Sequence, residues 1–152
     1  MATPPIPSTV VIDGSNVAYE EQTQDSKPKV ANLELALDCL HGQYDQMIVI
    51  IDAALHHLID HSEELEKLLR RQTVRQAPAD AAADYFVLST ADEMDADVLS
   101  NDTFRQYHGQ WPWIEHRRIP YMIINGHFIL YRPAQIQSRI EQHRREPEPA
   151  RC

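Results

Sequence analysis

At 152 residues the chain has the length of one domain, and with 43% hydrophobic and 24% charged residues it has globular rather than disordered composition. Its 14 Lys and Arg against 23 Asp and Glu leave a net charge of −9, which excludes a protein that grips nucleic acid by cationic neutralisation alone. An enzyme acting on nucleic acid stays open, because metal ions can cancel the charge of an acidic site.

Residues 1–8 are Pro-rich and are expected to be a disordered lead. Val10-Val11-Ile12 is a short β-branched run that stops at Asp13-Gly14-Ser15-Asn16, the pattern of a buried parallel strand ending in a polar turn. Leu33, Leu37 and Leu40 recur at helical spacing, with Gly42 as the stop. Met47-Ile48-Val49-Ile50-Ile51 reads as a second buried strand and also ends in an acid, Asp52. Glu63 to Arg71 reads as a surface helix, and Thr73-Val74-Arg75-Gln76 as a short strand before Pro78. The run from Asp80 to Asp95 predicts a helix carrying a Leu88, Ala91, Met94 stripe, with Asp80 as its N-cap and Asp84 in its first turn. Asp97 to Ser100 predicts a strand ending at Asn101-Asp102. Ile119–Ile124 and His127–Tyr131 flank Asn125-Gly126, a hairpin signal. Pro133 to Arg145 reads as a polar helix or frayed tail, and 146–152 as disordered.

Strands alternating with helices imply a mainly parallel sheet, and ligands of such sheets bind at the carboxyl edge of the strands. Asp13, Asp52 and Asp102 close strands, and Asp84 opens a helix, so all four are expected at that edge. Singly, an Asp at a strand end is a routine turn or cap residue. Jointly they form a carboxylate cluster, whose mutual repulsion a divalent cation can relieve. Carboxylates without cysteine favour Mg²⁺ or Mn²⁺ over zinc. Asn16 adds a neutral oxygen and two amide donors.

Charge is uneven along the chain. Through Glu66 there are two basic and 12 acidic residues, and from Lys67 onward 12 basic and 11 acidic. A polyanion would therefore lean on the second half, where Arg70, Arg71, Arg75, Arg105, Arg117 and Arg118 lie. The two cysteines, Cys39 and Cys152, form no CxxC pair, and no disulfide staple is expected between them. The start shows no signal-peptide pattern, and no apolar run approaches the ~18–20 residues of a membrane helix. A cytoplasmic protein with no membrane partner is the expectation.

The stretch Val10 to Ala18, the Asp84-led helix and Ser100-Asn101-Asp102-Thr103-Phe104-Arg105 resemble the NYN ribonuclease domain of the Regnase (MCPIP) family, within the PIN-like superfamily. The likeness covers roughly residues 9–131. It implies a three-layer α/β/α domain over 9–132 with a mainly parallel sheet and a C-terminal hairpin. It also implies an endoribonuclease that hydrolyses single-stranded RNA through Mg²⁺-activated water, with dimerisation as a further expectation. By matching position, Asp13, Asn16, Asp84 and Asp102 carry catalysis, and Asp13, Asp84 and Asp102 hold the metal. Arg105, Ser15 and Asn101 bind substrate. The chain departs from the pattern at Gln106, where eukaryotic members carry a fourth Asp, so Asp52 is a candidate substitute.

Other readings compete. A non-catalytic RNA-binding module with a decayed site would account for Gln106 and the acidic balance. An aspartate-nucleophile phosphatase would need a D-x-D at the first strand end, whereas Asp95-Ala96-Asp97 stands at a strand start. His57 and His61 have the i,i+4 spacing of zinc ligands but lack further partners, and a solvated helix start is the plainer account. Trp111-Pro112-Trp113 either stacks RNA bases or packs a loop onto the core.

Overall fold

The structure, a computed structural model, describes residues 8–71 and 73–131. The expected tails apart from Ser8, and the Pro133–Arg145 segment, lie outside the described residues. Five strands form one parallel sheet in the order β3-β2-β1-β4-β5, with β1 Thr9–Asp13, β2 Gln46–Ile51, β3 Thr73–Gln76, β4 Asp97–Leu99 and β5 Arg118–Ile119. Their apolar runs are continuous because both faces are covered. Val10, Ile12, Val49 and Ile51 point into one core cluster, while Val11, Ile48, Ile50 and Val98 point into the other.

The first cluster is closed by α1 Gly14–Glu20, α2 Val30–Leu40, α3 Leu55–Leu58 and α4 Ser62–Arg71, together with the hairpin β6 Tyr121–Ile124 and β7 His127–Leu130. The second is closed by α5 Ala83–Met94, a single 3₁₀ turn at Arg105–Tyr107, and α6 Ile114–Arg117. This is the three-layer α/β architecture expected.

Two local expectations are corrected. Asp80 does not cap α5; extended Ala82 stands at the N-cap with no side-chain bond, and Asp84 lies in the first turn. The run 119–124 is not one strand. Ile119 pairs with Leu99 in the main sheet, and Tyr121 begins the separate hairpin, because Pro120 between them has no N–H to continue a ladder. Asn125 (φ 50°) and Gly126 (φ 76°) turn that hairpin, both in the left-handed region a two-residue loop requires. Cys39 is buried in α2, and the expectation about a staple to Cys152 falls outside the described residues, because Cys152 does.

Gly14 is fixed by space. A Cβ there would stand 2.8 Å from the Ile50 carbonyl oxygen and 2.8 Å from Ile51 Cγ2. The first turn of α1 can therefore press against β2 only as glycine, which sets where Ser15 and Asn16 emerge.

Candidate active site

β1 delivers Asp13 to the carboxyl edge at 8% exposure, and neighbouring β4 delivers Ser100 at 0%. The Ser100 hydroxyl donates to Asp13 Oδ2 at 2.8 Å and accepts the Asp102 backbone N–H at 3.1 Å. Asp102 Oδ1 in turn accepts the Phe104 N–H at 2.8 Å. Phe104 is fully buried with a left-handed backbone (φ 52°), so its ring anchors the loop while the turn holds Asp102 at the exposed rim.

Burial pushes the Asp13 carboxyl up from 3.8 to about 6, and the charges of Asp102 and Asp84 push the same way; the Ser100 hydroxyl and the Asn16 backbone N–H offset part of this. Three acids from remote stretches thus act on one another at one edge. Asp84 reaches it from the first turn of α5. Its Oδ1 accepts its neighbour's N–H, from Tyr85, at 2.8 Å and the Tyr107 hydroxyl at 3.3 Å. Its Oδ2 accepts Gln106 Nε2 at 3.3 Å. Gln106 therefore adds no charge and clasps Asp84 through a neutral amide.

Asn16 Oδ1 accepts both the Asn101 N–H at 3.0 Å and the Tyr121 hydroxyl at 2.8 Å. Its Nδ2 has no partner among the described residues and is the end left for a ligand. Tyr121 is buried, and burial followed by the charges of Glu20 and Asp13 holds its phenol far above the usual range, so it stays a donor.

A family model described as the Zc3h12a-like ribonuclease NYN domain matches residues 7–143. The chain belongs to that family. This NYN domain is also similar to two solved structures of the nuclear proteinaceous RNase P 2 of Arabidopsis thaliana. In one the identity is 18% and the TM-score 0.66, covering 82% of this chain and 29% of that one. In the other the identity is 16% and the TM-score 0.65, covering 82% and 30%. The chain thus spans less than a third of the length of those plant proteins, and the likeness concerns the fold. No curated protein sequence matches the chain.

Several residues singled out in the sequence serve the NYN scaffold instead. Asp52 Oδ1 accepts the Leu55 N–H at 2.8 Å, capping α3, and the acids that act on Asp13 are Asp102 and Asp84. Ser15 Oγ accepts the Asp52 N–H at 3.0 Å, tying α1 to the end of β2. Asn101 Oδ1 accepts the Tyr121 N–H at 2.9 Å and its Nδ2 donates to Glu20 at 3.1 Å. Ser15 and Asn101 therefore position the edge through these bonds, with the Ser15 hydroxyl hydrogen and one Asn101 amide hydrogen still to donate. Arg105 is exposed one turn beyond Asp102. Arg117 is consumed by the Ala96 and Ala91 carbonyls, Asp95 and the Trp113 ring, 4.1 Å away. Trp111 is buried in the core and Trp113 Nε1 donates to Asp92 at 2.9 Å, so this pair packs the loop. His56 faces Glu66 at 3.5 Å and His61 stands 4.0 Å from Asp60. Asp97 is buried at the opposite edge and accepts the Tyr44 hydroxyl at 2.7 Å.

Among the described residues no three His, Cys, Asp or Glu side chains group closely enough to hold one ion together. The donors at the edge are nevertheless all oxygen, from Asp13, Asp84 and Asp102. Mg²⁺ keeps several waters and needs only one or two carboxylates directly, so the donor chemistry fits a hydrated hard dication. Ser100, Tyr107 and Tyr121 complete the arrangement and were not singled out in the sequence. The only signal for Ser100 was its place in Ser-Asn-Asp.

Proposed function

We propose that this domain is a Mg²⁺- or Mn²⁺-dependent endoribonuclease acting on single-stranded RNA. The observation that carries the reading is the bridge at one sheet edge, where the Ser100 hydroxyl donates to Asp13 Oδ2 at 2.8 Å and accepts the Asp102 N–H at 3.1 Å, with the charge of Asp84 also acting on Asp13. One or two of Asp13, Asp84 and Asp102 would bind the metal directly, and the rest would reach it through its coordinated waters. When bound, such an ion supplies Lewis acidity toward a phosphodiester and lowers the pKa of a coordinated water. Asn16 Nδ2 orients water or a phosphate oxygen, and Arg105 steadies the RNA backbone. Ser100 keeps Asp13 in place, and Tyr107 with Gln106 keeps Asp84 in place. Hydrolysis by water breaks the bond to the 3′ oxygen, leaving 5′-phosphate and 3′-hydroxyl ends. A homodimer belongs to the same proposal through the family resemblance.

The test is incubation of labelled single-stranded RNA and DNA with the protein in Mg²⁺, Mn²⁺ or EDTA. Metal-dependent cleavage of RNA to those ends is expected; 2′,3′-cyclic phosphate products would refute the mechanism. The neutral clasp of Gln106 on Asp84 favours one second reading, an RNA-binding module without turnover. Tight RNA binding in EDTA without cleavage in either metal would select it.

A further inference from the structure

A cavity of about 450 Å³ opens beside Asp102, lined by Thr103, Arg105, His108, Arg118, Pro120 and Tyr131 among others. We infer that this cavity is a subsite for one nucleotide of the RNA strand flanking the cleaved bond, its phosphate held between Arg105 and Arg118 and its base laid on the Tyr131–Pro120 wall. The inference rests on the nuclease reading and adds to it where a neighbouring nucleotide sits.

Arg118 is already tied to the acidic edge. Its Nη1 donates to the Ser100 carbonyl at 3.0 Å, and the hydroxyl of that same Ser100 holds Asp13. That is the side chain's one hydrogen bond among the described residues, which leaves most of its planar donor set for a ligand. Arg105 makes no side-chain hydrogen bond or ion pair among the described residues, although it lines the same cavity. Two guanidinium groups with spare donors next to a carboxylate cluster suit a phosphate, which each can meet in a forked geometry.

The aromatic part of the lining suits a base. Tyr131 is 48% exposed yet held, its N–H bonded to the Pro120 carbonyl at 2.7 Å and its hydroxyl to Met122 Sδ at 3.2 Å. A fixed aromatic ring open to solvent is a stacking platform that tolerates any base. The volume falls in the range of small-ligand pockets, enough for one nucleotide and too little for several. Glu115, which also lines the cavity and lies 3.9 Å from His108, disfavours a second phosphate there.

The test titrates the full-length ¹⁵N-labelled protein with adenosine 5′-monophosphate, adenosine or inorganic phosphate in EDTA, which prevents cleavage. The monophosphate is expected to shift the Thr103, Arg105, His108 and Tyr131 amides at millimolar concentration, and the two fragments to bind about tenfold more weakly. Tyr131→Ala and Arg118→Lys are expected to raise that dissociation constant, and KM for a short RNA, roughly five- to tenfold with kcat little changed. Tyr131→Ala alters an exposed side chain and keeps the test valid if Arg118→Lys unfolds. Metal-dependent cleavage with no amide shifts and unchanged KM would remove the subsite and leave the nuclease. Nucleotide binding at these amides without cleavage in either metal would keep the nucleotide site and remove the nuclease reading.

Discussion

Replacing Asp13 by Asn should make the metal-free protein more stable while abolishing its activity. Asp13 is buried, and its carboxyl lies at about 6 instead of 3.8. The folded state thus binds a proton more tightly than the unfolded chain. Stability contributed at this position is full below about pH 4, falls as pH rises toward 6, and stays lost above it. The shift from 3.8 to about 6 corresponds to about 3 kcal/mol at pH values above both. Asn removes the charge and keeps an oxygen for the Ser100 hydroxyl. In EDTA near pH 8 the variant should gain about 2–3 kcal/mol, or roughly 5–10 °C in Tm, and the gain should vanish near pH 4. Thermal melts followed by circular dichroism across that range give the measurement. Added Mg²⁺ should stabilise the parent and not the variant. A variant no more stable than the parent at high pH, or a gain independent of pH, would refute the reasoning.

Other outcomes follow from the same geometry. Cleavage should rise with pH through about 6 at low Mg²⁺, with the midpoint moving down as Mg²⁺ competes with the Asp13 proton; a pH–rate series at several metal concentrations reads this. Gln106→Asp should replace a hydrogen bond to Asp84 by a repulsion, lowering Tm in EDTA and reducing the Mn²⁺ concentration needed for half-maximal cleavage. Asp52→Ala should cost about 1 kcal/mol through the lost α3 cap and leave kcat unchanged, which separates Asp52 from the three acids. Gly14→Ala should cost several kcal/mol, since its Cβ meets backbone at 2.8 Å; an unchanged chemical denaturation midpoint would show that β2 can yield.

Val10–Ile12 and Met47–Ile51 were legible as strands because both of their faces are buried, which leaves an uninterrupted apolar run. That Asp13 ends a strand, that Asp102 follows one, and that Asp84 opens a helix, was legible from the order of apolar runs, and parallel strands all end on one side. The four-residue helices α3 and α6 were not, since one turn has no periodicity to read. Pro120 was visible, but the strong Asn125-Gly126 signal drew residues 119–124 into one strand where the chain uses two. Asp80 looked like a cap by residue type, yet the backbone enters α5 two residues later through Ala82. The supports of the site were out of reach for another reason. Ser100 serves an acid 87 residues away, and Tyr121 an amide 105 residues away; no local pattern marks a hydroxyl whose partner is fixed only by folding.

The strand order also sets where the molecule can loosen without harm. Asp13 ends the central strand, braced by a ladder on each flank, whereas β3 and β5 each have one neighbour in the sheet. Openings that start at the margins therefore spend the outer strands first. The carboxylate that carries the highest electrostatic cost is the one that partial fraying reaches last.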